Sequence, residues 1–173
     1  LPLTTMAKDR FATVISGRPA VTPEESPLTE VECYEAFARE LVDFCLSRLR
    51  LRKGEKPKDG KYDTSQVTEK SPAWRQAYLK ALMELGLDPN GKAHKTAFFT
   101  KESDPDEHVR SVAKECYRAV RRKPEKSRSI QDLKRAMVAA EWWLLMTQRR
   151  ELNLYVDYDA ALKTRRNLLR NPS

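Results

Sequence analysis

The sequence predicts an all-α protein of about six or seven helices, joined by short loops and stacked as antiparallel helix hairpins. Two observations lead to this fold class. Apolar residues recur at spacings of three and four through most of the chain, which is the period of an amphipathic helix. No segment combines apolar–polar alternation with flanking turn residues, which is the pattern of a strand.

Composition bounds the class of protein and its partners. The chain has 173 residues, 40% hydrophobic and 34% charged, which fits one helical core with a hydrated surface. Its formal net charge of +8 allows an anionic partner such as nucleic acid, an acidic protein or anionic lipid. Three separated cysteines without a C-x-x-C pair argue against a disulfide scaffold and against a zinc site. No apolar run approaches the ~20 residues of a spanning helix, so no membrane span is expected.

The chain begins with an arm that precedes the helices. Residues 1–27 contain four prolines and no helical period, so we predict an extended N-terminal arm. Residues 28–173 are predicted to form the helical-hairpin domain. Its first helix begins at Thr29, where Glu32 completes a capping box. The helix ends in a run of arginines, which suits the negative end of the helix dipole.

The second helix has clear start and stop signals. Ser71 can cap it, and Pro72 is tolerated at the first helical position. Gly86 can adopt the left-handed conformation that ends a helix. The preceding residues 53–70 form a polar loop without a helical period. Its glycines miss the spacing of a phosphate-binding loop, so we reject a nucleotide site.

The remaining chain predicts four more helices. A short one covers residues 92–100 and carries Ala93, Ala97, Phe98 and Phe99 as its apolar residues. The next begins at Asp104-Pro105, another begins after Ser129, and the last spans residues 158–170. The helix after Ser129 is apolar on most sides, so we expect it to be the central helix.

One stretch resembles a known repeat. The segment ALMELGLDPN, residues 81–90, is similar to the end of a pentatricopeptide repeat: an apolar helix, Met83, Gly86, then Pro89 and Asn90 opening the next repeat. A weaker similarity covers residues 140–162, where the glycine and proline positions are replaced. The family resemblance implies stacked helix hairpins of about 35 residues. In that family, single-stranded RNA is usually bound on the concave face, in organelles.

Two functions follow from the resemblance. Reading RNA base by base takes regular repeats, whereas here only Asn90 is a good base-reading position. The size, basic charge, arm and degenerate repeats together resemble the accessory subunits on the catalytic head of euglenozoan mitochondrial ATP synthase. That resemblance implies a non-catalytic structural subunit docked on the outside of an α subunit, at the matrix face of the inner membrane or in the matrix. The alternative is an organellar single-stranded RNA-binding pentatricopeptide-repeat protein.

Mitochondrial import is also suggested by the start of the sequence. The basic chain begins at Leu1 instead of methionine, which is consistent with a removed targeting peptide or with a shortened front end. Either explanation of the first residue is compatible with the structural subunit and with the RNA-binding protein.

Catalytic and metal-binding motifs are not apparent in the sequence. His94 and His108 lack ligand-like spacing to other donors, and no G-x-S-x-G or H-E-x-x-H occurs. We therefore predict no enzyme activity, no cofactor and no metal.

Clusters of arginine are the remaining feature with functional potential. Each lies at a predicted helix C-terminus, where compensation of the helix dipole explains it as well as binding does. If the hairpins stack in parallel, these ends would form one positive edge for phosphates or an acidic protein. The candidate basic interface comprises Arg48, Arg50, Arg52, Arg118, Arg121, Arg122, Arg149, Arg150, Arg165 and Arg166.

Overall fold

The computed structural model describes residues 29–88, 90–121, 129–152 and 158–170. Within these ranges the chain is helical, without a strand, and the prediction of an all-α fold is confirmed. The six helices described are α1 (Glu30–Leu49), α2 (Pro72–Leu85), α3 (Lys92–Ser103), α4 (Glu107–Arg121), α5 (Ile130–Glu151) and α6 (Tyr158–Arg170). The predicted N-terminal arm lies outside the described residues.

The predicted helix starts are confirmed by their capping bonds. Thr29 and Glu32 form the reciprocal capping box at the start of α1. Ser71 accepts a hydrogen bond from the amide of Trp74, at 3.3 Å, immediately before Pro72. Ser129 accepts one from the amide of Asp132 at 3.1 Å. Local sequence therefore determines where these three helices begin.

The helices form three antiparallel pairs. The Glu69 amide donates to the Arg48 carbonyl at 3.1 Å, so α2 begins beside the end of α1. His94, near the start of α3, stacks on Tyr117 near the end of α4. In the third pair, the guanidinium of Arg135 in α5 donates to a carbonyl in the last turn of α6, that of Leu169, at 2.9 Å. The pairs α1–α2, α3–α4 and α5–α6 are thus hairpins.

The order of the pairs in space differs from their order in the chain. Helix α2 packs against α1, α4 and α5, so the first hairpin lies between the other two. Its side chains explain this position, because Trp74, Tyr78, Leu79 and Leu82 point to different sides and are fully buried. Helix α5, which the sequence suggested as central, buries mainly its second half. Its first turns are partly exposed, so α2 is the helix around which the core is built.

The loop between α1 and α2 is anchored in the core. Leu51 and Val67 form an isolated antiparallel bridge, and Val67 is fully buried. Tyr62 is also buried and stacks on Phe99 of α3, with ring centroids 5.3 Å apart. The sequence indicated only a polar connection here. Tyr62 and Val67 hold this loop against the hairpins, although their spacing follows neither a helical nor a strand period.

Candidate docking surface

The predicted repeat boundary coincides with the end of α2. Gly86 has φ 61° in the left-handed region, and its amide donates to the carbonyl of Leu82 at 3.0 Å. Met83 is partly buried and packs against the core, whereas Asn90 is exposed in a turn. Pro89 lies outside the described residues. Gly86 therefore ends a helix, and Asn90 lies in the turn that follows it.

Asp88 is the residue in this turn that sequence analysis missed. Its carboxylate is buried and accepts hydrogen bonds from the amides of Ala93 at 2.9 Å and His94 at 3.0 Å. It thereby caps α3, because Gly91 at the N-cap position offers no side chain for this role. The signal was the aspartate just before a helix in LGLDPN.

A buried ion pair connects the start of α2 to the turn between α3 and α4. The guanidinium of Arg75 donates to both carboxylate oxygens of Asp104, at 2.9 and 3.0 Å, and both side chains are fully buried. Arg75 also donates to the carbonyls of Glu69 and Lys70, each at 3.0 Å. The bidentate geometry is the strong form of this interaction. Arg75 is therefore committed to holding two hairpins together.

The loop hydroxyl of Tyr62 completes this network. It donates to the Asp104 carboxylate at 2.9 Å, while the guanidinium of Arg110 donates to the Asp104 carbonyl at 2.7 Å. Burial, and then the neighbouring charge of Asp104, raise the pKa of Tyr62 well above its usual range. The phenol therefore stays protonated and acts as a donor. The polar groups of this network bond one another, and the network stabilises the packing of the loop and the two hairpins.

The arginine clusters lie at two opposite ends of the molecule. Because α1 and α5 both run antiparallel to α2, their C-termini share one end, with Arg48, Arg50, Arg52, Arg149 and Arg150. Lys134 of α5 lies over the ring of Tyr34 of α1, 5.4 Å from its centroid, which places the two helices at matching levels. Helices α4 and α6 end at the opposite end, with Arg118, Arg121, Arg165 and Arg166. The three hairpins run in the same direction, but the two helices of each hairpin end at opposite ends of the molecule, so the clusters do not form one continuous positive edge.

Several of these arginines are already paired. Arg48 lies 3.6 Å from Glu69, Arg52 lies 3.5 Å from Glu55, and Arg165 lies 2.9 Å from Glu84. The members with exposed side chains are Arg50, Arg52, Arg118, Arg150 and Arg166. Arg122 and the side chain of Arg121 lie outside what the structure describes.

A second aromatic cluster joins α2, α5 and α6. Glu84 accepts from the indole of Trp143 at 3.1 Å and from the guanidinium of Arg165 at 2.9 Å. The ammonium of Lys80 lies 4.4 Å from the centroid of the Trp143 ring. Partial burial, and then the charge of Arg150, lower the pKa of Lys80. Trp143 is thus covered by these groups and fastens the third hairpin to α2.

An exposed aromatic residue, Phe98, and two partly buried rings lie on the outer side of the α3–α4 hairpin. We call the rings of His94, Phe98 and Tyr117, together with Lys101, the α3–α4 aromatic surface. Phe98 is 48% exposed. Its ring centroid lies 5.7 Å from that of Tyr117, which in turn stacks on His94 at 4.5 Å. The ammonium of Lys101 lies 4.9 Å from the centroid of Phe98 and 5.4 Å from that of Tyr117.

The position of Phe98 follows from the small residues of α3. The sequence grouped Phe98 with Ala93 and Ala97, but only the two alanines are buried. Thr100 and Ser103 complete the buried face, so small side chains line the contact with the other helices. Phe98 lies ~100° around the helix from Ala97 and projects away from the core.

The charge around this surface is predominantly positive. Lys95, Lys114 and Arg118 have exposed side chains within one helical turn of Phe98 or Tyr117 in sequence. With Lys101 this makes four cations. Glu102 is the carboxylate in the same stretch of α3 and pairs with Lys101 at 2.6 Å. Glu115 of α4 is also exposed; it lies two residues from Tyr117, and its charge acts on Lys80 of α2. An exposed aromatic group surrounded by cations suits recognition of an anionic, partly apolar partner.

Two further properties concern the described part of the chain. No group of three or more His, Cys, Asp or Glu side chains there is arranged to hold a metal ion. None of its helices is long and apolar enough to cross a membrane.

Comparison of the chain with protein-family models, with curated proteins and with solved structures found no match.

Proposed function

We propose that the chain is a non-catalytic structural subunit that docks onto a larger mitochondrial assembly through protein–protein contacts. The observation that carries this proposal is the α3–α4 aromatic surface. Aromatic residues are enriched in protein interfaces, and charged residues belong to the rim of such interfaces. The buried charged groups Arg75 and Asp104 bond each other and maintain the fold. The outer face of this hairpin is therefore the surface that we assign to function.

The assembly that we propose is the catalytic head of the mitochondrial ATP synthase. The support is the resemblance of the chain's basic charge, degenerate repeats and proline-rich first segment to the extra helical subunit of the euglenozoan enzyme. In this proposal the chain sits on the outside of an α subunit, in the matrix or at the matrix face of the inner membrane. It contributes contacts, and the chemistry belongs to its partners.

Native purification tests this function directly. The full chain, expressed with an affinity tag in the cells from which it comes, is recovered from mitochondria under non-denaturing conditions. We expect it to retain the α and β subunits of the ATP synthase at a fixed stoichiometry. Recovery of ATP synthase heads without this chain, or of this chain without those subunits, would contradict the proposal.

RNA binding is the second candidate function. The cations around Phe98 and the net charge of +8 are the features that favour it. Filter binding against mixed single-stranded RNA would then show an affinity that falls steeply with salt. An absence of salt-dependent binding at low ionic strength would dispose of this alternative.

A further inference from the structure

We infer that the α3–α4 aromatic surface binds an acidic segment of the partner protein, with an apolar side chain of that segment packed on Phe98. The inference rests on the proposed docking function and names the surface and the chemistry of its partner. Its two premises are the exposed rings and the unequal charge around them, and each can be altered separately.

The apolar half of the partner follows from Phe98. Its ring is about half exposed and projects from a helix whose buried residues are alanines and small polar residues. Tyr117 and His94 support it from the neighbouring positions and are themselves only partly buried. A supported, half-exposed aromatic ring is the kind of residue that dominates binding energy when it is covered.

The acidic half of the partner follows from charge complementarity. Lys95, Lys101, Lys114 and Arg118 lie close to the rings in sequence, and the carboxylates among them are Glu102 and Glu115. Four positive charges minus two negative charges leave an excess of two. Carboxylates of the partner would meet this excess at Lys95, Lys114 and Arg118, because Lys101 is already paired with Glu102.

Two other occupants fit less well. A second copy of the chain would bring the same positive charges to the surface, and the chain as a whole has a net charge of +8. A nucleobase needs an open ring face to stack on. Here one face of Tyr117 is covered by His94, and Lys101 lies over the rings of both Phe98 and Tyr117. The edges of these rings suit packing by aliphatic side chains better than stacking of bases.

The test compares variants that are matched in exposure. Phe98→Ser removes the exposed ring, and Leu162→Ser removes an apolar side chain of α6 that is exposed to nearly the same degree, 47% against 48%. For charge, Arg118→Glu is compared with Arg50→Glu, an exposed arginine at the opposite end. Each tagged full-length variant is purified from mitochondria after nuclease treatment, and the retained proteins are quantified at about 50 and 200 mM salt.

We expect Phe98→Ser and Arg118→Glu to lower partner retention roughly ten-fold, with both control variants retaining the partner like the unaltered chain. Retention by the unaltered chain should fall as salt is raised. Unchanged retention by Phe98→Ser would overturn the inference and leave the docking function standing. If the unaltered chain retains no protein at fixed stoichiometry, the proposed function itself fails.

Two further outcomes would assign the surface to a different occupant. If the nuclease step is omitted and the unaltered chain then retains RNA that Phe98→Ser does not retain, the partner is RNA. Light scattering that shows a dimer of the unaltered chain and a monomer of Phe98→Ser would make it a second copy. Either result overturns the inference.

Discussion

Arg75 connects more segments of the chain than any other charged side chain described above. Its guanidinium bonds Asp104 at the α3–α4 turn and the two carbonyls that precede α2. A buried charge without its partner is costly, because the interior cannot solvate it. The pair therefore specifies how the first and second hairpins meet.

Asp104→Asn is expected to lower the free energy of unfolding by about 3–5 kcal/mol, because it leaves the Arg75 charge uncompensated. Urea denaturation followed by circular dichroism measures the change. Arg52→Met is the control, since it breaks an exposed pair with Glu55 and should cost at most about 1 kcal/mol. Equal effects of the two variants would show that the buried pair is not structural.

Glu141 makes stability depend on pH. Burial raises the pKa of this α5 carboxyl from 4.5 to about 7. The folded chain then binds the proton more tightly than the unfolded chain, so this group reduces stability as pH rises from 4.5 to 7. Below that window the penalty is absent, and above it the penalty is complete.

Glu141→Gln is expected to remove this dependence. Relative to the variant, the unaltered chain should lose about 1–3 kcal/mol of unfolding free energy between pH 5 and pH 8, values that bracket most of the transition. Denaturation curves at several pH values give the difference between the two proteins, in which the other titrating groups cancel. A difference that does not change with pH would contradict the raised pKa.

At the scale of elements, helix α3 depends on a cap from outside its own N-cap position. Asp88 accepts from two of its first amides, and α3 carries the exposed Phe98. The carboxylate of Asp88 thus links the stability of the first turn of α3 to the shape of the α3–α4 aromatic surface.

Asp88→Ala is expected to destabilise the fold by about 1–2 kcal/mol and to speed amide exchange in the first turn of α3. Thr29→Ala provides the comparison, because it removes the exposed cap of α1 and should cost less. Hydrogen exchange with mass spectrometry locates the effect. Exchange that speeds up equally in all helices would show that Asp88 acts on the whole core and not on α3.

At the scale of the whole molecule, burial is unevenly distributed among the helices. Helix α2 is packed by three others, and eight of its fourteen residues are buried. Helix α6 packs mainly against α5 and leaves Leu162 about half exposed. Local opening is cheapest where the fewest apolar contacts are lost.

Native-state hydrogen exchange should therefore separate these two helices. We expect amides in α2 to exchange only through global unfolding, and amides in α6 to exchange at least roughly ten-fold faster through local opening. Adding low concentrations of urea distinguishes the two routes, because only global unfolding exposes a large surface. Protection of α6 equal to that of α2 would contradict this order.

Much of the local structure could be predicted from single residues. Thr29, Ser71, Gly86 and Ser129 marked helix ends correctly, because capping depends on neighbours within a few positions. The long-range partners could not be predicted in this way. Asp104 was taken for a helix start signal, yet it is the counter-ion of Arg75, 29 residues away.

The candidate site shows the same division between local and long-range information. The arginine clusters were evident in the sequence, but their division between two ends depends on the direction of each helix. Phe98 was grouped with the apolar residues of its helix without a direction, and its exposure became evident only with the packing of α3 against α4. The aromatic surface was therefore out of reach of periodicity alone.

By itself the sequence determined that this protein is helical, where most of its helices begin and end, and that its surface is strongly basic, since these properties depend on local patterns and composition. Tertiary structure alone decided that the first hairpin lies between the other two and that Arg75 and Asp104 meet. It also decided that Phe98, Tyr117 and His94 form one exposed surface. The physical reason is that burial and charge pairing are properties of contacts between distant segments, and a sequence pattern specifies a helix face without specifying what covers it.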